Sequence, residues 1–150
     1  MAASFTFRFQ KLLDLKEKQE RALEIELARL ERAVLSQQAA LDGWRGARSE
    51  TFQQMREARL RGDLAENARC AGYLHHVRAR VEQCRAALDE LRTRREGVRE
   101  ELRSVMQSRK VLENYRDRLR AEFMAEQEKT EERTIELHAA RKFIGVEGTP

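Results

Sequence analysis

The sequence predicts an all-α fold: a long antiparallel two-helix coiled-coil hairpin, with the second helix longer than the first. Three observations carry this prediction. Apolar residues recur at alternating spacings of three and four along most of the 150-residue chain. One Gly-Asp step, Gly62–Asp63, interrupts that pattern. The composition is 37% charged and 6% aromatic, with one proline, and the mean hydropathy is -0.77. Such a chain is too polar for a core of ordinary size but suits helices that bury a narrow seam. A disordered chain of similar polarity would not hold a period near 3.5 residues.

The first helix is expected over about residues 5–60. Its seam reads Leu13, Leu23, Leu27, Leu30, Val34, Leu41, Trp44 and Met55, with Lys16, Glu20, Gln37, Arg48 and Thr51 filling the gaps. Phe5, Phe7 and Phe9 alternate at its start. On a helix, Phe5 and Phe9 share a face with Leu12 and Leu13 while Phe7 points elsewhere, and Ser4 or Thr6 offers an N-cap. The turn is placed at about 61–67, since glycine accepts positive φ and aspartate caps the helix that follows.

The second helix is expected over about 68–142, followed by a frayed tail at 143–150. Its seam is Cys70, Leu74, Val77, Val81, Cys84, Leu88, Leu91, Val98, Leu102, Val105, Leu112, Leu119 and Phe123, with Arg95, Arg109 and Arg116 in the gaps. More than seven heptads in one register indicate a left-handed coiled coil. In an antiparallel pair, facing residues have a constant sum of numbers. A turn between 62 and 63 sets that sum at 125, which pairs Trp44 with Val81, Leu41 with Cys84 and Val34 with Leu91. Helix 1 is then exhausted near residue 120. The second helix overhangs from Phe123 to about Lys142, carrying Glu126, Glu128, Glu131 and Glu132. One domain, 1–150, accounts for the whole chain, as a monomeric hairpin.

Several function classes are disfavoured. The net charge is +4, but basic and acidic groups interleave, so no nucleic-acid arm is visible. Cys70 and Cys84 lie 14 residues apart. On one helix that is about 21 Å, beyond disulfide reach, and two free thiols suit a reducing compartment. No apolar run is long enough to span a membrane and no secretory signal opens the chain. No phosphate-cradling glycine loop or nucleophile constellation is present. A two-helix seam also encloses no dry pocket, so no enzyme activity, cofactor or metal is expected. His75 and His76 diverge by about 100° on a helix, and Arg61-Gly62-Asp63 reads as a turn. Glu17 before Arg21 and Glu90 before Arg94 stand in the stabilising order for ion pairs on a solvated face. Trp44, with Tyr73 and Val77 across the hairpin, is a candidate partner anchor.

The opening Phe5-Thr6-Phe7-Arg8-Phe9-Gln10-Lys11-Leu12-Leu13-Asp14-Leu15-Lys16-Glu17 resembles the start of the flagellar export FliJ family. Lys110-Val111-Leu112-Glu113-Asn114-Tyr115-Arg116-Asp117-Arg118 is similar to a second segment of that family, and the charged helix after it is similar too. The likeness extends to chain length, order and hairpin plan. It implies a cytoplasmic, non-enzymatic part of the flagellar type III export apparatus, peripheral to the inner membrane at the flagellar base. It further implies an export chaperone that acts like the central stalk of a rotary ATPase. The implied partners are the hexameric export ATPase, the large membrane protein of the export gate, and empty export chaperones; no nucleic acid is implied. The resemblance places gate contacts at Gln37, Leu41, Trp44, Tyr73, Val77 and Cys84. It places ring contacts at the end carrying both termini, where Phe5, Phe7, Phe9, Leu13, Leu112, Leu119 and Phe123 are the candidates. A virulence-system homologue shares this plan. A coiled-coil spacer or nucleic-acid-associated protein is the reading from another class, and strong salt-dependent nucleic-acid binding would distinguish it.

Overall fold

The computed structural model describes residues 3–147, with side chains through residue 145. Among these residues there is no strand. Two helices, α1 (Gln10–Arg61) and α2 (Leu64–Glu147), pack against each other as a helical hairpin, the second longer. The chain divides into two compact units: Glu20–Ser104, which contains the turn, and Met1–Gln19 with Val105–Pro150, which contains both ends.

The turn is shorter than the 61–67 expected. Only Gly62 and Asp63 separate the helices. Gly62 takes φ 73, a left-handed conformation that a side chain disfavours. Its N–H donates to the Arg59 carbonyl at 3.1 Å, and the Asp63 N–H donates to the Ala58 carbonyl at 2.9 Å. Those bonds close the end of α1. The Asp63 carboxylate then accepts from the Glu66 N–H at 3.0 Å. This is an N-cap, and it starts α2 at once rather than near residue 68.

The turn unit is built on the expected seam. Val34, Leu41, Val77, Val81, Cys84 and Leu88 form a buried cluster, with Trp44, Ala47 and Leu91 packed against it. Leu30, Ala58, Cys70 and Leu74 are also buried. Thr51 fills its seam position by donating its hydroxyl to the Ala47 carbonyl at 2.7 Å, so its buried hydroxyl is satisfied. Polar contacts across the hairpin report the register. Glu31–Arg99 and Gln38–Arg92 sum to 130, and Glu26–Arg94 sums to 120. They flank the predicted 125 by the reach of one long side chain to either side. Arg94 meets Glu26 at 3.8 Å instead of Glu90. Arg29 holds Glu26 at 2.6 Å, and that hydrogen bond is the main reason the Glu26 carboxyl sits below its usual range, helped by the charges of Arg29 and Arg94.

Gly43 and Gly46 flank Trp44 in α1. A Cβ at either position would have no atom within 4 Å, so neither glycine is required by close approach.

The terminal unit departs from expectation at its start. The chain is not helical from residue 5; α1 begins at Gln10, after a turn in which the Gln10 N–H donates to the Phe7 carbonyl at 3.2 Å. Residues 3–7 form an irregular arm. The physical reason is in the alternation. Helical geometry would send Phe5 and Phe7 to different faces, whereas extended backbone puts residues two apart on one side. From the irregular arm both rings reach α2. Phe7 is buried rather than turned away. Leu13, with no exposed surface, and Val105 are buried in the same unit. At the other end, α2 continues to Glu147, beyond the predicted limit of 142. Residues 148–150 of the expected frayed tail lie outside the described residues.

Candidate partner-binding surfaces

Two groups of residues stand out, one in each unit. In the terminal unit, aromatic side chains bring the arm onto α2. Phe5 meets Phe123 at 5.7 Å between ring centroids. Phe7 stands edge-on to Phe9 and to Tyr115, both at 6.0 Å, and Phe9 meets Tyr115 at 6.2 Å. These tilted and edge-on geometries at 5 to 7 Å are the favourable ones for aromatic pairs. Arg8 caps the Phe9 ring and Arg118 the Tyr115 ring. Between arm and helix runs an open groove of ≈ 730 Å³, lined by Phe5, Phe7, Arg116, Arg120, Phe123 and Met124 among others.

The candidates Phe5, Phe7, Phe9, Leu13, Leu112, Leu119 and Phe123 thus fall in one compact unit. Their exposure differs. Phe7 and Leu13 are buried, Phe9 is exposed, and Phe5, Leu112, Leu119 and Phe123 are half-buried. Tyr115 was not singled out by sequence reasoning, although it links both Phe7 and Phe9 to α2. The available signal was the register: Phe9 and Tyr115 sum to 124, one short of the seam value.

In the turn unit, Trp44 is half-buried, one edge on the seam cluster. His76 meets it edge-on at 5.8 Å, and Tyr73 lies 6.2 Å beyond His76. Arg80 sits over the indole at 5.9 Å. Tyr73 is 48% exposed, and Gln37 is half-buried at the surface. Leu41, Val77 and Cys84 are instead core residues, at 2%, 0% and 7% exposure. The six candidates are therefore two kinds of residue: Gln37, Trp44 and Tyr73 offer surface, while Leu41, Val77 and Cys84 support it from beneath. His76 and Arg80 complete the exposed part. Adjacent aromatic side chains on one helix face were the signal for His76.

Among the described residues no three His, Cys, Asp or Glu side chains come together to hold a metal ion. No described helix is long and apolar enough to cross a membrane. Comparison with curated proteins and with solved structures finds no match. A family model described as Flagellar FliJ protein matches residues 5–148, a span that takes in the aromatic arm, the turn and the overhanging part of α2.

Proposed function

The chain belongs to the FliJ family of flagellar proteins, and from that membership we propose that it couples the hexameric flagellar export ATPase to the large membrane protein of the export gate. Membership makes it a component of the flagellar export apparatus, in a family without catalytic activity. The finer role is that of a central-stalk-like part and a chaperone for empty export chaperones. It acts in the cytoplasm, peripheral to the inner membrane at the flagellar base.

The observation that carries this reading is the terminal unit. It presents three phenylalanines held against Tyr115 and Phe123 of one long helix, and that helix continues past them with every residue from 128 to 145 exposed. A helix with no tertiary partner is a natural element to insert into a protein ring, since most helix stability in water comes from packing. Ring contacts are assigned to Phe5, Phe9, Leu112, Leu119 and Phe123 at the surface, with Phe7 and Leu13 holding them in place. Gate contacts are assigned to Gln37, Trp44 and Tyr73, with Leu41, Val77 and Cys84 fixing their positions. Coupling of this kind needs binding energy at two separate places and no bond chemistry.

The test is a pull-down of full-length chain with the export ATPase ring and, separately, with the soluble domain of the gate protein. Phe5→Asp with Phe123→Asp should lose the ring and keep the gate. Trp44→Ala with Tyr73→Ala should do the reverse. Retention of both partners by both double variants would overturn the assignment.

A further inference from the structure

One flank of α2 in the terminal unit repeats every seven residues: Val111, Arg118, Ala125, Glu132, Ala139. All five are exposed, Val111 by 67%. Positions seven apart lie on one stripe of a helix in a left-handed supercoil. The stripe is a mirror of itself in chemistry. Ala125 stands at the midpoint between Arg118 and Glu132, and again between Val111 and Ala139. Laid antiparallel on a second copy with the two-fold axis at Ala125, it sets Arg118 against Glu132 twice and Val111 against Ala139 twice. That is the requirement for an isologous interface, in which one patch meets itself. Alanine at the axis lets the helices approach closely.

We infer that this stripe is the docking surface for a second copy of the chain, packed antiparallel through the terminal units. Three observations favour that occupant. First, the complementary charges cannot meet within one molecule. Residues 105–144 of α2 contain neither glycine nor proline, and 14 residues of unbroken helix hold Arg118 and Glu132 about 21 Å apart. Second, both charges lack an ionic partner among the described residues: Arg118 lies over the Tyr115 ring, and Glu132 is exposed. Third, the flank beside the start of the stripe is apolar. Val111 and Tyr115 sit one turn apart on α2, Phe9 meets Tyr115, and Leu12 is exposed next to Phe9 on α1. The overhang that would cover this flank brings exposed Phe143, four heptads beyond Tyr115 on the same side of α2. Self-association thus covers the two least protected parts of the unit with each other. It does not depend on the coupling role. Where that role holds, the dimer hides the ring-binding end, so ring and second copy compete for the same unit.

The test uses the full chain alone, so its failure is separate from any failure to bind the ring. Sedimentation equilibrium should give twice the 17.6 kDa chain mass at about 100 µM. Arg118→Glu and Glu132→Arg should each raise the dissociation constant about tenfold or more, because a like-charge pair then faces itself twice. The two reversals together should restore association. Independently, Ala125→Cys should form a disulfide-linked dimer under mild oxidation, since the axis brings only that position within reach of its own copy; Cys70 and Cys84 are buried. Far-UV circular dichroism checks that each variant stays helical, and if a reversal melts the helix the Ala125→Cys cross-link decides. A chain of single mass at that concentration overturns the inference. So does a dimer indifferent to both single reversals, or a double reversal that stays monomeric. A dimer without the Ala125→Cys cross-link, or binding only to an unrelated acidic helix, overturns it as well.

Discussion

Replacing Leu41 by alanine removes a side chain that is 2% exposed and sits among Val34, Val77, Val81, Cys84 and Leu88. The loss can be worked in two steps. Shortening Leu to Ala deletes three carbons, and burial is worth about 0.8 kcal/mol for each methylene equivalent, about 2.4 kcal/mol in all. A cavity term comes on top in a rigid core, where Leu→Ala costs about 2–5 kcal/mol. Here the seam is one side chain deep, with water beyond it on either flank, so the neighbours collapse readily and the cavity term is small. The expected loss is therefore about 2.5–3 kcal/mol, near the low end of that range. Leu35, six residues earlier on the same helix and 70% exposed, is the control. Leu35→Ala should change stability by less than about 0.5 kcal/mol. Urea unfolding followed by helical circular dichroism, with the slope held common, measures both. Equal losses at the two positions would refute the seam as the source of stability. A loss at Leu41 below about 1 kcal/mol would refute the burial arithmetic.

Other perturbations address the remaining features. Gly62→Ala forces a side chain into φ 73 and should lower stability by about 1–2 kcal/mol; Asp63→Ala removes the cap on α2 and should cost about 1 kcal/mol, both read by urea unfolding. Gly46→Ala meets open space inside a helix, and the same assay should show a gain of about 1 kcal/mol. Phe7→Ala should free the arm: amide exchange should accelerate at residues 10–13 and stay unchanged around Val77 and Val81, and uniform acceleration would contradict the division into units. Glu26 has its carboxyl pKa lowered by Arg29. Its contribution to stability is complete above the unfolded pKa and fades as pH falls through the lower folded one. Wild type should therefore exceed Glu26→Gln at neutral pH and converge with it by about pH 2; an unchanged difference would show that the ion pair is not the cause.

The hairpin was legible because its signals are periodic and redundant. A seam repeated over many heptads fixes which face is inside, and one Gly-Asp step fixes where the chain returns. The constant sum of 125 then pairs the helices without knowledge of any contact. The aromatic arm was not legible in the same way. Phe5, Phe7 and Phe9 satisfy both a helical and an extended reading, and only the rings waiting on α2, Tyr115 and Phe123, decide between them. A tertiary contact overrode local propensity there. The cap at Asp63 was readable, but the apolar seam of α2 begins only at Cys70, so the helix start was set near residue 68 instead of directly after the cap. At the Trp44 surface the pattern merged buried and exposed residues. Periodicity marks Leu41, Val77 and Cys84 as readily as Trp44, and only burial separates the residues a partner can touch from those it cannot.

A seam one residue deep also has a consequence for inheritance. Folding depends on the few positions of each heptad that face the other helix, and the remaining positions are free to vary with little effect on stability. A substitution on the outer faces can retune a partner, or its rivals, without threatening the scaffold. In a protein with a deep core those two properties are entangled at many positions. Here they occupy different columns of the same repeat, so affinity for each partner can drift, be lost or be regained by surface changes alone.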